Sequence, residues 1–212
     1  MRKFFFCVMI VVGFFFVSCS GDGGSAVKPS EGGAAGIMTD FRDSQTYKTV
    51  TIGSQTWMAQ NINYRTKTAI SYCYNDNDFF CAKYGRLYIW DAAMEACPSG
   101  WHLPTRAEFI ALFDYVGGVR SASNMLKATS GWSDYDGMGG NGLDVYSFSA
   151  LPAGDWDYRG YFNYEGYCTN FWSSTDNNSS YDAYSMELAY NGEAGVGSSN
   201  KGYGFSVRCI KD

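Results

Sequence analysis

The hydrophobic pattern divides the chain into three parts. An apolar run covers residues 4–17, and residues 20–40 are rich in Gly, Ser and Ala with few large side chains. From residue 41 to residue 212, Trp, Tyr and Phe are dense and alternate with frequent Gly and Asn. This third part has a suitable size for one domain with one core, and its sequence contains no internal repeat or second linker.

Alternation of apolar and polar positions predicts strands at both ends of this domain. Residues 47–52 alternate and are rich in β-branched side chains, and residues 55–62 are extended again after a Gly-Ser turn. We therefore predict an opening β-hairpin. In the C-terminal part, the same criterion predicts strands at 146–153, 171–175, 184–190 and 203–209.

Two short helices are predicted between these groups of strands. Residues 87–97 carry apolar side chains on one face, and Pro98 ends that helix. Thr105 and Glu108 form a capping box, and an apolar stripe follows until two glycines end the second helix. We predict an α+β domain with two short helices packed on small antiparallel sheets, joined by long irregular loops.

The N-terminal segment has the pattern of a secretory signal. Arg2 and Lys3 precede an apolar run that is too short to span a bilayer, and Ser18 precedes Cys19. A cysteine at this position is typical of a bacterial lipoprotein. We predict a lipoprotein signal peptide at 1–18, then a lipidated Cys19 with a flexible tether over 19–40, and a membrane-anchored location in the cell envelope.

The charge balance excludes some classes of partner. The chain has 16 Lys and Arg against 21 Asp and Glu, a net charge of −5. Loss of residues 1–18 would remove Arg2 and Lys3, leaving 14 against 21 and a net charge near −7. An acidic chain of this kind is poorly suited to nucleic acid or to anionic lipid.

Five cysteines in the domain predict disulfides, because an exported protein meets an oxidising environment. Cys73 and Cys81 flank a turn-rich loop that a bond could close, and a bond from Cys97 to Cys209 would tie the first third of the domain to its last strand. Cys168 would remain, buried among aromatic residues. Spacing alone does not choose among the fifteen ways in which two bonds can join five cysteines.

Several unusual stretches occur in an order that resembles the Fibrobacter succinogenes major paralogous domain. The resemblance covers nearly all of 41–212. The stretches are Ile52-Gly-Ser-Gln-Thr-Trp-Met-Ala-Gln-Asn-Ile62, Cys81-Ala-Lys-Tyr-Gly-Arg-Leu-Tyr-Ile-Trp-Asp-Ala-Ala-Met94, Ala96-Cys-Pro-Ser-Gly-Trp-His-Leu-Pro-Thr105, Leu151-Pro-Ala-Gly154, Phe171-Trp-Ser-Ser-Thr175 and Gly204-Phe-Ser-Val-Arg-Cys209.

The resemblance implies a fold and a disulfide. The stretch around Cys97 is similar to the first-helix region of C-type-lectin-like domains, in which a helix cysteine bonds to a cysteine of the final strand. Mapped onto this chain, that bond joins Cys97 to Cys209. The ending at 204–209 also resembles the last strand of sulfatase-modifying domains. Fold alone does not carry function, so each activity has to be judged at its own residues.

Residues that could support catalysis are few. His102 is the single histidine and no nucleophile motif accompanies it, so we assign it a packing and hydrogen-bonding role. A sulfatase-modifying activity would need a reactive thiol. Cys168 is the spare cysteine, but its apolar sequence neighbours raise the pKa of a thiol and make it inert. We therefore expect a domain without catalytic residues and without a zinc site.

A structural calcium ion is the one metal that the sequence suggests. Calcium prefers oxygen-rich clusters, and Asp76 and Asp78 are the first candidates as ligands. Asn and Asp are also common in ordinary turns, which is the alternative interpretation. The triplets with which C-type lectins bind sugar through calcium do not occur in this chain.

The most suggestive surface lies in the aromatic stretch 156–164. Aromatic rings beside Asp and Arg suit both sugar faces and protein interfaces. The candidate ligand-binding residues are Trp156, Asp157, Tyr158, Arg159 and Tyr161. The alternative is a loop that folds over the core with its rings inward.

These observations favour a non-catalytic, lipid-anchored envelope module that presents loops near 132–165 to a glycan or protein partner. Two alternatives remain at this point. The chain could be a structural component of an envelope assembly without a soluble ligand, or an enzyme related to sulfatase-modifying factors, which would depend on Cys168.

Overall fold

The structure is a computed structural model that describes residues 34–212. The signal peptide predicted at 1–18, the lipidation of Cys19 and most of the predicted tether lie outside the described residues. The described part is an α+β domain, as predicted. Within residues 34–212, no helix has the length and apolar character needed to cross a lipid bilayer.

Twelve strands are present in the described part of the chain. In order they are β1 (Ala35–Asp40), β2 (Gln45–Ile52), β3 (Gln55–Met58), β4 (Ser71–Tyr72), β5 (Leu87–Tyr88), β6 (Trp101–His102), β7 (Asp155–Trp156), β8 (Phe162–Asn163), β9 (Cys168–Asp176), β10 (Asp182–Ala189), β11 (Ala194–Asn200) and β12 (Ile210–Lys211).

Four α-helices lie between residues 34 and 212, where the sequence predicted two. They are α1 (Asp78–Tyr84), α2 (Trp90–Ala96), α3 (Arg106–Tyr115) and α4 (Val119–Leu126). The capping box of α3 forms as predicted, with the Thr105 side chain accepting from the Glu108 N–H and the Thr105 N–H donating to the Glu108 carboxylate. The missed α1 begins after Asn77, whose side-chain oxygen accepts from the Phe79 N–H at 2.9 Å.

The strands form four antiparallel sheets. A five-stranded sheet has the order β1-β2-β3-β12-β6, and a three-stranded sheet has the order β11-β10-β9. Two further sheets are the pairs β4-β5 and β7-β8. The predicted opening hairpin is therefore present as β2 and β3, and the strands predicted at 171–175 and 184–190 correspond to β9 and β10.

Strand β1 corrects the predicted boundary of the tether. Residues 35–40 were assigned to the tether because small residues dominate that stretch. In the structure every residue of β1 pairs with β2, from Ala35 opposite Val50 to Asp40 opposite Gln45. Met38 and Asp40 are buried there. Pairing with a neighbouring strand and burial of one face therefore order this segment although its composition alone does not.

Two segments predicted as strands are irregular. The segment 146–153 is not a strand because Ser147 and Ser149 adopt left-handed backbone conformations, with φ of 55° and 54°. The segment 203–209 touches three different neighbours through single bridges, which pair Gly204 with Trp156, Phe205 with Tyr88 and Ser206 with Phe171. Residues 204–210 are all buried, so the Arg208 side chain faces the interior together with its apolar neighbours.

Two apolar clusters form the core. One lies between α3, α4 and the sheets, where Trp57 stacks on Phe109 with 5.6 Å between ring centroids. The other surrounds α2 and includes Trp172, Phe205 and Cys209. Cys97 is bonded to Cys209, which ties α2 to the end of the chain, and Cys73 is bonded to Cys81.

Candidate binding surface

The predicted ligand-binding residues lie on the short hairpin formed by β7 and β8. Asp155 pairs with Asn163 and Trp156 with Phe162, and residues 157–161 form the connecting turn. The Asp157 N–H donates to the Tyr161 carbonyl at 2.8 Å, and the Gly160 N–H donates to the Asp157 carbonyl at 2.9 Å. Gly160 has φ +95°, a conformation that glycine adopts without steric cost.

Asp157 organises this turn from the inside. Its side chain is buried and accepts the backbone N–H groups of Arg159 at 2.9 Å and Tyr161 at 3.1 Å. It also accepts from the Arg159 guanidinium at 3.0 Å. Burial alone would raise the pKa of Asp157, but these hydrogen bonds outweigh it and hold the pKa below its usual value. Asp157 therefore shapes the surface and has its carboxylate occupied by its own turn.

The tip of the hairpin, Tyr158 to Tyr161, is exposed. Tyr158 and Tyr161 have 60% and 65% of their surface accessible, and 66% of the Arg159 side chain is accessible. The Tyr158 ring packs edge-on against Tyr203 with centroids 5.6 Å apart. We call residues 158–161 the hairpin tip. It presents two tyrosine side chains and a guanidinium to solvent on a turn with fixed backbone hydrogen bonds.

Trp156 supports the hairpin tip and is only half-buried. Its indole stacks on Tyr72 with centroids 4.2 Å apart and planes at 22°. Its backbone exchanges two hydrogen bonds with Gly204, at 3.0 and 2.8 Å. A Cβ at Gly204 would lie 3.0 Å from the Trp156 Cβ, so this close approach favours glycine. The contact between Trp156 and Tyr72 has no local signal in the sequence, because the two residues are far apart in the chain.

Asp155 is a buried carboxyl group that the sequence analysis missed. It is 2% exposed, and the Asn163 side-chain amide donates to it at 3.4 Å. Burial raises the pKa of Asp155 to about 7, and the nearby charges of Asp157 and Glu187 add to the effect. Asp155 and Asp157 are two residues apart in an extended segment, so their side chains lie on the same side of that segment. This spacing is the sequence signal from which the role of Asp155 could have been predicted.

The predicted surface at 132–165 also includes a second turn, at residues 135–138, whose contacts do not involve the hairpin tip. Tyr135 and Met138 exchange two backbone hydrogen bonds of 2.8 Å in a tight turn, and both side chains are exposed. The Tyr135 ring packs edge-on against Tyr190. This turn is therefore stabilised by its own backbone hydrogen bonds and by the contact with Tyr190.

The candidate calcium ligands are exposed and dispersed. Asp76 lies in a 3₁₀ turn with φ 51°, and Asp78 begins α1. Within the part of the chain that the structure describes, no group of three or more His, Cys, Asp or Glu side chains is arranged to hold a metal ion. The two aspartates fit the turn and helix-start roles that acidic residues commonly have.

His102 bridges two carboxylates. Its Nδ1 lies 2.6 Å from Asp212 Oδ1, and its Nε2 lies 2.9 Å from Glu108 Oε1. Burial would lower the pKa of His102, but hydrogen bonds to Asp212 and Glu108 outweigh burial and raise the pKa. Glu108 also closes the capping box with Thr105, so the histidine links β6, the start of α3 and the last described residue. The predicted hydrogen-bonding role is confirmed.

Cys168 is fully buried and belongs to neither disulfide. The Asn170 side-chain amide lies 3.9 Å from its sulfur, at the start of β9. The Cys168 side chain is therefore shielded from solvent.

Comparison with known proteins gives a family and no closer relative. No match was found among curated proteins or among solved structures. The family model of the Fibrobacter succinogenes major domain matches residues 50–211, from β2 to β12. This match covers most of the chain and agrees with the resemblance seen in the sequence. The chain belongs to the Fibrobacter succinogenes major domain family.

Proposed function

We propose that this chain is a non-catalytic binding module of the cell envelope whose hairpin tip contacts a glycan or protein partner. The observation that carries the proposal is the exposure of Tyr158 and Tyr161 on a turn whose backbone is fixed by the buried Asp157. Exposed aromatic side chains stack on sugar faces and anchor protein interfaces.

Preorganisation strengthens the proposal. A binding loop loses affinity when it has to order itself on contact with a ligand, so a turn with internal hydrogen bonds starts with an advantage. Two ring contacts also hold the hairpin in place. Trp156 stacks on Tyr72, and Tyr203 packs against Tyr158. Arg159 supplies a charged donor beside the two tyrosines.

We also propose a C-type-lectin-like fold for the domain. The bond between Cys97 and Cys209 supports this proposal, because it joins a helix cysteine to a cysteine near the last strand. The α+β architecture with small antiparallel sheets and long loops is compatible with it. In domains of this kind, loops carry recognition while the disulfide-linked frame holds them.

Attachment to a membrane through Cys19 is the remaining part of the proposal. It rests on the basic start, the short apolar run and the small residue before Cys19. Intact-mass spectrometry of the mature protein tests it. A mature chain that begins at a diacylated Cys19 supports the anchor, and a mature chain that begins elsewhere contradicts it.

A ligand screen tests the binding function. We expect wild-type protein to capture a ligand on a glycan array or in a pull-down from envelope extract, and a double variant, Tyr158→Ala with Tyr161→Ala, to lose it. Phe41→Ala is the matched control, because Phe41 is 93% exposed but lies in the turn between β1 and β2. Equal capture by the double variant and the wild type would contradict the hairpin tip as the binding surface.

A further inference from the structure

A cavity of about 1040 Å³ lies away from the hairpin tip. It is bounded by β1 and β2, by residues 59–63, by the C-terminal end of α1, and by residues 147–151, and Arg208 also lines it. A cavity of this size can hold a small organic ligand. None of the hairpin-tip residues lines it.

The lining of this cavity has an unusual charge for an acidic protein. It includes Lys48, Lys83 and Arg208 but neither Asp nor Glu, although the whole chain has more acidic than basic residues. Lys83 lies 3.6 Å from Glu165 outside the lining, so its charge is partly balanced. The other lining residues are mainly hydroxyl-bearing or amide-bearing. Such a lining is complementary to an anion that also carries hydroxyl groups.

Arg208 is a buried cation that makes no direct ion pair with a described carboxylate, although the charge of Asp144 partly offsets the effect of burial on its pKa. It is 1% exposed, and its Nε and Nη2 donate to Asn61 Oδ1 at 3.1 and 2.7 Å. Its Nη1 donates to the Phe148 carbonyl. These bonds use three of the five N–H groups of the guanidinium. Burial lowers the pKa of Arg208 to about 9, so it still carries its charge at neutral pH.

A second polar group in the same lining has no partner. The Oδ1 atom of Asn63 is buried and accepts no hydrogen bond from the described residues. Leaving a buried acceptor without a donor costs about 1–3 kcal/mol, so such an atom needs an explanation. A ligand hydroxyl that displaced the atoms covering Oδ1 from the cavity side would supply the missing donor.

The loop that closes the cavity is held in a strained conformation. Ser147 and Ser149 line the cavity with left-handed backbones, and Asp144 is left-handed as well, with φ 47°. The Asp144 carboxylate accepts from the Ser149 N–H at 2.7 Å and from the Ser149 hydroxyl at 2.6 Å. Strain of this kind persists where the surroundings fix it, and it concentrates at ligand sites.

We propose that this cavity binds an acidic sugar residue, with its carboxylate toward the basic residues of the lining (Lys48, Lys83 and Arg208) and a hydroxyl toward Asn63. The site is independent of the hairpin tip. The proposal explains why the lining has no acidic residue, why Arg208 is buried without a direct ion pair, and why Asn63 Oδ1 accepts no hydrogen bond from the described residues.

Titration of the full chain with free sugars tests this proposal by calorimetry or by NMR. The probes are D-glucuronate and D-galacturonate, with D-glucose as the neutral match and acetate as a carboxylate without hydroxyl groups. We expect either uronate to bind at least about tenfold more tightly than glucose or acetate, a difference of about 1.4 kcal/mol. Uronates that bind no better than glucose and acetate would overturn the proposal.

Two variants separate ligand binding from folding. Asn63→Leu removes the unpartnered oxygen, so we expect unchanged or higher stability together with about tenfold weaker uronate binding. Lys48→Glu reverses a charge at the rim and is expected to weaken binding to a similar extent. Lys67→Glu is its control, because Lys67 is exposed and does not line the cavity. Equal losses for Lys48→Glu and Lys67→Glu, or unchanged binding in Asn63→Leu, would contradict the assignment.

The proposals for the cavity and for the hairpin tip can be tested independently of each other. The double variant of the hairpin tip should bind uronate as the wild type does, since neither tyrosine lines the cavity. Loss of uronate binding in that variant would place the sugar at the hairpin tip and overturn the cavity site.

Discussion

The backbone N–H of Tyr161 donates a hydrogen bond to the carboxylate of Asp157, 3.1 Å away, across the turn of the β7–β8 hairpin. The same carboxylate accepts the Arg159 N–H, so one buried side chain holds two backbone positions of the exposed tip. A carboxylate that binds backbone N–H groups in this way makes the turn independent of any ligand.

Removal of this carboxylate should loosen the hairpin tip. We expect Asp157→Ala to destabilise the domain by about 1–3 kcal/mol, because two backbone N–H groups lose their acceptor. Asp157→Asn, which retains one oxygen, should have a smaller effect. Hydrogen exchange of the Arg159 and Tyr161 amides checks this directly. Exchange rates equal to those of the wild type in Asp157→Ala would show that Asp157 does not organise the turn.

The two disulfides should contribute unequally to stability. The Cys97–Cys209 bond closes a separation of 112 residues and the Cys73–Cys81 bond a separation of 8. In the loop-entropy model these closures are worth about 4.8 and about 2.6 kcal/mol. We therefore expect Cys97→Ala with Cys209→Ala to lower the urea midpoint more than Cys73→Ala with Cys81→Ala. The opposite order would indicate that loop entropy does not control these bonds.

Asp155 should make the domain less stable as the pH rises. The pKa of Asp155 is raised by burial from 3.8 to about 7, so between these pH values the folded chain holds a proton that the unfolded chain has released. Stability is then fully present below about pH 4 and falls until about pH 7, by at most about 4 kcal/mol. Asp155→Asn should flatten this part of the profile. An NMR titration that gives an ordinary aspartate pKa for Asp155 would refute the prediction.

His102 should affect stability in a higher pH range. Its hydrogen bonds to Asp212 and Glu108 outweigh burial and raise the pKa of His102 above its ordinary value of 6.5. The stabilisation is therefore fully present below about pH 6.5 and is lost as the pH rises through the folded-state pKa. The ring is partly exposed, so the effect should be modest. Denaturant unfolding of His102→Gln at pH 6 and pH 9 checks this, and a pH dependence identical to that of the wild type would contradict it.

The sequence predicted those elements that are stabilised mainly by interactions between residues close together in the chain. The hairpin of β2 and β3, the capping box of Thr105 and Glu108, and the alternating β10 were all found from the sequence. In contrast, β11 is rich in Gly and Ser, and it forms because β10 offers it a partner over its whole length. Helix α4 was also missed, although its sequence is amphipathic and places Ala122, Ser123 and Leu126 on the buried face.

The sequence indicated which residues of the candidate surface lie together, but it did not indicate which of them are exposed and which are buried. All five candidate residues lie on one hairpin or its turn, but Asp157 faces inward and Trp156 is stacked on Tyr72. Tyr72 and Tyr203 were missed because their contribution depends on contacts between distant parts of the chain. The cavity was missed for the same reason, since Lys48, Lys83 and Arg208 come from three separate segments.

The dissociation constant of a screened ligand tests the central claim most directly. It would be measured for the wild type, for the Tyr158→Ala and Tyr161→Ala double variant, and for Phe41→Ala. Because aromatic anchors dominate binding energy, the account predicts at least about tenfold weaker binding by the double variant and no change for Phe41→Ala. The same dissociation constant for all three proteins would contradict recognition through the hairpin tip.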